Sequence, residues 1–569
     1  MKNEENLFAE FKPSTYEEWK EESVKLLKGA PFDKKMYSKT PEGIVLKPIY
    51  NKEDVNFEVS LPGYDDYVRG VSAEGNKGSP WKIDQQIYAS TPREFNKLAL
   101  DALNKGQTAL EIRLDCPSSR GVDADESEAG RVGKCGLSVS VKKDFDEALK
   151  GIETDCVEIN ISTASRAAGV AAILYASQKG KKLSGGIKFD PIGTLAERGK
   201  LDRKLECAFD EMFASYNAKN MPSFGAIGVD AMPYSSAGAS AVEELGAAMA
   251  TAAAYLREML ARGMSIDETA PLVRFRLSLD SNFFMTVAKL RAARVLWAKI
   301  VEAFGGSEES RKIRVNAKTS VYNKTVYDPY VNMLRTATEA FSGVIGGCDS
   351  MTVSPFDEIM RKPDEFSTRI ARNQQIILQE ECNLADVIDP AGGSYFVETL
   401  TKELAGKAWE FFVKIEAAGG IVKALESGMV QDAVAATAAG KKKLIDTRRS
   451  SVVGTNNYAN LGEKLLEKPA CECEKIFKER AAEVSAAKSG AKVDLGSAKG
   501  AGAIEKLVGA ACEGAGISAL SKALCHCGSA ETSVKPLEIR RAVEHFEALR
   551  KASADFKEKT GSGPKIFLA

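Results

Sequence analysis

The chain has 569 residues, of which 44% are hydrophobic and 28% are charged, and its formal net charge is -1. This length predicts two or three structural units, and the composition is that of an ordinary globular protein. A nearly neutral chain without a dominant basic patch argues against nucleic acid as a main partner. No apolar run approaches the length of a membrane span, so we expect no membrane partner.

The N-terminal sequence MKNEENLFAEF is polar and acidic, unlike a signal or transit peptide. Eleven cysteines scattered over a long chain suggest reduced thiols, and we therefore expect a cytoplasmic protein. The chain has only two histidines, His526 and His545, both near its C-terminal end. Since imidazole is the usual acid, base and metal ligand near neutral pH, most of the chain lacks that chemistry.

Residues 1–60 are predicted to form a helix followed by an arm. Ser14 and Glu17 match an S-x-x-E capping box, and Gly29 is a suitable helix end. The segment from Thr40 to Tyr50, TPEGIVLKPIY, is typical of a strand or an extended arm.

Residues 61–440 contain eight short β-rich runs, most of them separated by helical patterns. The runs are ALEIRL, GLSVSV, CVEINI, GGIKF, FGAIGV, VRFRLSL, KIRVNA and SMTVS, starting at residues 109, 136, 156, 185, 224, 273, 312 and 350. Alternating strands and helices imply parallel pairing, and eight such units predict an α/β fold of the (β/α)₈ or TIM-barrel type. A doubly wound open sheet is the alternative.

Residues 441–560 are predicted to form a helical linker that includes a low-complexity stretch rich in Ala, Gly, Ser and Lys. Residues 561–569 include GPKIFLA, in which three consecutive apolar residues follow Gly and Pro. This pattern predicts the first buried strand of a further domain.

Several predicted strands end in residues that could do chemistry. Active sites of barrels lie at the C-terminal ends of the strands. The candidates there are Asp115, Asp190, Asp230, Asp280, Lys318 and Ser320. The structural alternative is that the aspartates cap the next helix, which is common at strand-to-helix turns.

Two close cysteine pairs form a weak candidate zinc site: Cys471 with Cys473, and Cys525 with Cys527. Four thiols beside one imidazole could bind zinc, but C-x-C is not the usual knuckle spacing. The chain has no phosphate-binding P-loop, no dinucleotide fingerprint and no nucleophile elbow.

Long segments of the chain resemble the methylmalonyl-CoA mutase family. They include TPEGIVLKPIY, VAKLRAARVLWAKI, DPYVNMLRTATEAFSGVIGG, RIARNQQIILQEE and DPAGGSYFVETLT, which begin at residues 40, 287, 328, 369 and 389. The resemblance implies an isomerase dependent on adenosylcobalamin, built from a CoA-substrate barrel, a linker and a flavodoxin-like cobalamin domain.

The chain departs from the family's catalytic pattern at the reacting positions. By alignment, Pro233 stands where catalytic chains have a histidine, Gln86 where they have a tyrosine, and Asp84 where they have an arginine. No clear counterpart of the carboxylate-binding arginine follows Arg198. VDAMPYSSAGAS and GTNNYANL, from residues 229 and 454, are similar to small-subunit segments. The resemblance therefore implies a non-catalytic small subunit in a heterodimer with a large catalytic subunit.

The resemblance places adenosylcobalamin on the partner subunit, because no D-x-H-x-x-G motif occurs in this chain. GPKIFLA then resembles the first strand of a truncated cobalamin-type domain. Two alternatives stay open: a barrel chain that acts with a separate cobalamin-binding protein, or a regulatory module that binds acyl-CoA.

Overall fold

In the computed structural model, eight parallel strands form the centre of the molecule. The structure describes residues 11–216, 221, 223–463, 465–469, 472–491, 493–524 and 531–565. The strands are β1 (Lys82–Gln86), β2 (Ala109–Arg113), β3 (Glu158–Thr163), β4 (Ser184–Phe189), β5 (Ile227–Asp230), β6 (Val273–Leu279), β7 (Val315–Thr319) and β8 (Ser350–Thr352). Their order around the sheet is β4-β3-β2-β1-β8-β7-β6-β5.

The sheet closes between β4 and the residues just before β5. Gly186 and Gly225 form a parallel bridge, and the amide of Ile187 donates to the carbonyl of Gly225 at 2.9 Å. This closure makes the sheet a (β/α)₈ barrel, so the predicted fold class is confirmed and the open-sheet alternative is wrong.

One predicted strand was wrong and one real strand was missed. GLSVSV contributes only a single bridge, Leu137 to Leu114, whereas Lys82–Gln86 provides β1. The charged residues of KIDQQ concealed a strand whose alternate side chains point into a polar interior.

The helices following the eight strands form the outer layer. In strand order they are Pro92–Asn104, Lys142–Ala148, Ala168–Ser177, Leu205–Ala214, Ala241–Ala261, Phe283–Ala303, Val331–Gly346 and Glu365–Ile376. Shorter helices near the strand ends are Gly75–Gly78, Cys116–Ser119, Pro191–Arg198, Met232–Ser236 and Ile266–Thr269, with 3₁₀ turns at Lys52–Asp54, Ala124–Glu126 and Ala270–Leu272 and a π turn at Ile377–Glu381. The core lies between this layer and the outward faces of the strands, where Leu110, Ile161 and Leu277 are fully buried.

The helices of the N-terminal arm lie outside this core, whereas Ile44, later in the arm, belongs to it. These helices are Tyr16–Leu26 and Phe32–Met36, and neither buries a residue. The first is capped by a box of Thr15 and Glu18, one residue later than the predicted Ser14 and Glu17. A short antiparallel pair, Ser38–Lys39 with Val45–Leu46, completes the arm.

The residues after the barrel are mostly helical and fold back onto it. The helices are Tyr395–Ala417, Ile421–Glu426, Met429–Asp446, Cys473–Ala487, Ala501–Cys512, Ile517–Leu524 and Glu544–Thr560. A two-residue strand, Thr532–Ser533, pairs with Lys200–Leu201, which follows the helix Pro191–Arg198. The apolar residues of the predicted final strand, residues 566–569, lie outside the described residues. No helix in the described ranges is both long and apolar enough to cross a bilayer.

Candidate functional site

The inside of the barrel is polar at every level. Successive side chains of a strand point to opposite faces, so every second residue of each strand faces the axis. The inward residues include Asp84 of β1, Glu111 of β2, Lys188 of β4 and Arg276 of β6, whose side chains meet across the interior. Most barrels of this type are instead filled by Val, Ile and Leu side chains.

Glu111 is the centre of a cluster of ion pairs that crosses the barrel axis. Its carboxylate lies 2.5 Å from Lys188 Nζ and 2.7 Å from Arg276 Nη2, and it also accepts from Ser162 Oγ at 2.5 Å. The side chains of Glu111, Lys188 and Arg276 are 4%, 6% and 10% exposed, so solvent barely reaches the cluster. Because residues from β2, β4 and β6 are joined there, side chains occupy the axis itself.

Asparagines on the remaining strands complete the cluster. The amide groups of Asn160 and Asn316 donate to Asp84 Oδ2 at 3.1 and 3.0 Å. The side-chain oxygen of Asn316 accepts from Lys188 Nζ at 3.2 Å and from Arg276 Nε at 3.1 Å. Each described member therefore has a polar partner, although the second carboxylate oxygen of Asp84, Oδ1, is buried without one.

The pKa values of the two acids in this cluster are shifted in opposite directions. Burial raises the pKa of Asp84 to about 7, and the attraction of Lys188 opposes this only in part. Burial also acts to raise the pKa of Glu111, but Arg276 and Lys188 outweigh it and hold that pKa well below its usual range. Glu111 is thus a permanent anion, and Asp84 is the titrating member.

A cavity of about 580 Å³ opens above the cluster at the C-terminal ends of the strands, and we call it the mouth cavity. Five of the residues singled out in the sequence line it: Gln86, Asp190, Asp230, Pro233 and Lys318. Its floor is formed by Glu111, Lys188 and Arg276. Asp115, Asp280 and Ser320 are not among its lining residues.

The aspartates at the strand ends mostly organise backbone. Asp115 accepts from the amides of Ser118 at 2.9 Å and Gly133 at 2.7 Å, and burial raises its pKa to about 6. Asp190 accepts from the amides of Gly193 and Asp230, both at 2.7 Å, and from the hydroxyl of Tyr255. Burial raises the pKa of Asp190 to about 7. These bonds are the helix-capping role that was the structural alternative for both residues.

The other candidates have equally local partners. Asp230 Oδ1 accepts from the amide of Met232 at 3.0 Å, and its carboxylate lies 3.8 Å from Arg276. Asp280 accepts from the amide of Ser281 at 2.7 Å. Ser320 Oγ accepts from the amide of Tyr322 at 3.1 Å, and Lys318 Nζ pairs with Glu358 at 3.1 Å.

Two of the three replaced positions of the family pattern, Gln86 and Pro233, lie at the mouth, and the third, Asp84, lies in the cluster below it. Gln86 ends β1, and Pro233 is buried in the short helix Met232–Ser236 that follows β5. Proline has no side-chain donor or acceptor, and a glutamine amide does not titrate. Neither side chain can transfer a proton to a bound molecule.

The candidate zinc set is mostly outside the described residues, because Cys471, Cys525, Cys527 and His526 fall there. The remaining member, Cys473, is disulfide-bonded, as is Cys207. The expectation of reduced thiols is therefore wrong for these two cysteines, and Cys473 does not offer a thiolate to a metal.

An acidic group at Asp123, Asp125 and Glu126 has the spacing of a cation site. Lys488 Nζ occupies it, at 3.2, 2.9 and 3.2 Å from the three carboxylates. The group is therefore an internal ion-pair cluster that ties the segment after helix Cys473–Ala487 to the barrel.

The residues that fill the axis were not recognised in the sequence as a site. Their signal was present as polar residues at alternate positions of ALEIR, SGGIKF and VRFRLSL. Period-two alternation normally indicates a strand with one face in water, so the sequence did not distinguish a solvent face from a polar barrel interior.

The closed parallel barrel defines the class of the molecule, a (β/α)₈-barrel protein with a polar mouth at the C-terminal ends of its strands. The family model described as methylmalonyl-CoA mutase matches residues 39–535. The chain belongs to the methylmalonyl-CoA mutase family, whose activity is that of an isomerase.

The relatives that match this chain include proteins named as small subunits and a protein named as a large subunit of methylmalonyl-CoA mutase. The methylmalonyl-CoA mutase small subunit of Porphyromonas gingivalis is 34% identical over 100% of this chain and 81% of its own length. The small subunit of Streptomyces virginiae is 35% identical over 81% of this chain and 73% of its own. The large subunit of the same organism is 34% identical over 74% of this chain and 59% of its own length.

Proposed function

We propose that this chain is the small, non-catalytic subunit of an adenosylcobalamin-dependent methylmalonyl-CoA mutase. Its role is to pair with a large subunit that carries out the interconversion of methylmalonyl-CoA and succinyl-CoA. The similarity to relatives named as small subunits supports the pairing. The ion-pair cluster of Glu111, Lys188 and Arg276 across the axis supports the lack of catalysis.

The cluster disfavours binding of an acyl-CoA along the axis. A thioester threaded there would have to displace Glu111 from two cations, leaving buried charges without partners. Breaking a buried ion pair in this way costs about 3–5 kcal/mol, which is a large fraction of an ordinary ligand affinity. This argument also counts against the split-mutase and acyl-CoA-module alternatives.

The described residues do not fit a cobalamin held through an imidazole. The one described histidine, His545, lies on helix Glu544–Thr560 and not in the wall of the mouth cavity. Its Nε2 lies 2.7 Å from Asp446 Oδ1, and its ring packs on Phe546 with 4.6 Å between centroids. We therefore assign adenosylcobalamin to the partner subunit and derive no step through it in this chain.

The test combines calorimetry with an activity assay. Titration of the purified chain with CoA and with methylmalonyl-CoA should give no saturable heat, whereas a large subunit carrying the family's catalytic residues serves as the positive control. Methylmalonyl-CoA turnover should require the large subunit and should not appear with this chain plus cobalamin. Micromolar binding of the thioester, turnover without a large subunit, or failure to co-purify with one would contradict the proposal.

A further inference from the structure

The residues after the barrel cover its outer helices unevenly. Helix Tyr395–Ala417 packs along helix Phe283–Ala303. On the next helix, Val331–Gly346, Leu334 and Phe341 are 68% and 37% exposed. These two residues are seven positions apart, so they stand two turns apart on one face of the helix. The described part of the chain therefore leaves an apolar helix face in solvent on this side of the barrel.

A row of aromatic rings joins this helix face to the N-terminal arm. The ring centroids of Phe341 and Phe283 are 5.1 Å apart. Phe284 continues the row, because its centroid lies 5.3 Å from that of Phe283 and 5.3 Å from that of Phe396. Phe396 in turn lies 5.0 Å from Tyr50, in the arm. These separations are those of rings in contact, so the row is unbroken from the helix to the arm.

The row extends in the other direction to the last helix of the barrel. Tyr330 lies one turn before Leu334, and its ring centroid is 5.2 Å from that of Phe356. The ring of Phe356 is 6.2 Å from that of Phe366, on helix Glu365–Ile376. We call this whole surface the aromatic band. Its exposed members are Ile49, Phe284, Tyr330, Leu334, Phe341, Phe366 and Tyr395.

A recess opens in the band where the arm meets the residues after the barrel. Its volume is about 410 Å³, and it is lined by residues 46–50 and 393–396. Protein interfaces are enriched in aromatic side chains at their centre, and their strongest contacts are large side chains that fill pockets of the partner. The recess therefore gives the band a place to anchor a large side chain of another protein.

The size of the band suits a protein partner. A whole aromatic side chain presents about 150–250 Å². Seven large side chains that are exposed by between one-third and two-thirds therefore present roughly 600 Å². This is the upper end for an apolar patch on a monomer, and it approaches the ~800 Å² that one protein contributes to a standard interface. A small ligand in the recess would leave both helix faces uncovered.

We propose that the aromatic band is the surface through which this chain binds the large subunit, and that the recess receives a large apolar side chain of that partner. The inference rests on the proposed function, which supplies the partner. The band is continuous with the arm through Tyr50, and the arm also leaves apolar groups in solvent, so one partner can cover both. Among the described residues, none of the band lines the mouth cavity, so this docking leaves the mouth open.

Affinity capture of the large subunit by the full chain tests the proposal. Leu334→Asp and Phe284→Asp each place a charge where an apolar contact would bury it, so each should weaken capture by about tenfold or more. The matched control is Val413→Asp, on helix Tyr395–Ala417 about five turns beyond Tyr395 and 46% exposed, which should be captured like the parent. Circular dichroism should show the parent thermal transition in all three variants, because each position is exposed.

The outcomes separate this inference from the proposed function. Equal capture by the parent and by both band variants would overturn the inference and leave the proposed function standing. A parent that captures no large subunit would overturn both.

Two further measurements locate the contact and identify the occupant. Hydroxyl-radical footprinting of the complex should protect Phe284, Leu334 and Phe341 from oxidation and leave Val413 unchanged; equal oxidation of the three band residues with and without the large subunit would overturn the proposal. Sedimentation of the purified chain should give the same mass for the parent and for Leu334→Asp. A parent dimer that Leu334→Asp dissociates would show that the band binds a second copy of this chain, which also overturns the proposal.

Discussion

Glu111 is the residue on which the barrel interior most depends. Glu111→Gln would leave the two buried cations with only longer contacts to acids, Lys188 at 3.6 Å from Asp84 and Arg276 at 3.8 Å from Asp230. We expect the free energy of unfolding to fall by about 3–5 kcal/mol, as for other broken buried ion pairs. Guanidinium denaturation followed by circular dichroism measures this loss.

The control for this substitution is Glu309→Gln. Glu309 also pairs with a lysine, Lys312, but its side chain is 79% exposed. Pairs of that kind contribute about 1 kcal/mol or less. Equal losses in the free energy of unfolding would show that the buried cluster stabilises the fold no more than an exposed ion pair does.

Asp84 should make stability depend on pH. Its pKa is about 7 in the folded chain and 3.8 when unperturbed, so between these values the folded chain keeps a proton that the unfolded chain releases. Stability must therefore fall as the pH rises through this window. Asp84→Asn removes the titration, so the stability of the variant relative to the parent should increase from about pH 4 to pH 7 and then level off. Denaturation series at several pH values measure this difference, and a constant difference would contradict the assignment.

At the residue scale, the sequence predicted where the polar side chains at the strand ends lie better than it predicted what they do. Asp115 and Asp190 were identified at strand ends, but their hydrogen bonds to backbone amides depend on how the loops fold. Glu111, Lys188 and Arg276 are 165 residues apart at most in the chain, and only barrel closure brings them together. No local pattern carries that information.

At the scale of elements, helix Ala501–Cys512 shows that the region after the barrel packs as part of it. Ile504 and Leu507 are fully buried, although this stretch adjoins the low-complexity sequence that was predicted as linker. Ala, Gly and Ser are small enough for close helix packing, so the same composition suits a packed helix as well as a linker. Composition alone did not decide between them.

Leu507→Ala should test that packing. Loss of a fully buried leucine costs about 2–5 kcal/mol, and this cost should fall mainly on the local contacts between helix Ala501–Cys512 and the barrel. Hydrogen exchange should become faster in residues 501–512 and stay unchanged in β2 and β6. The control is Val508→Ala at the half-buried neighbouring position, which should speed exchange in this helix less. Faster exchange throughout the chain in Leu507→Ala would contradict a local role.

At the scale of the whole molecule, the two helices of the N-terminal arm contribute little to the fold of this chain. Helix Tyr16–Leu26 buries no residue, and Leu26 is 81% exposed. Trp19 packs on Phe32, also in the arm, with 6.1 Å between ring centroids. The arm therefore has apolar groups that this chain leaves in solvent.

Removal of residues 1–30 should consequently leave the thermal transition within about 2 °C of the parent. The same truncation should weaken capture of a large subunit, if the exposed side chains of the arm contact it. Differential scanning fluorimetry and affinity capture measure the two effects. A large drop in transition temperature would mean that the arm stabilises this barrel after all.

The polar interior also means that the fold does not depend on an apolar filling of its axis. The apolar contacts lie outside the strands, where Ile112, Ile161 and Phe275 are buried against the helices. Shortening Glu111, Lys188, Arg276 and Asp84 together to serine would remove both signs of charge at once and no apolar contact of the outer core. The chain is therefore a suitable scaffold for engineering a water-filled bore through a parallel barrel.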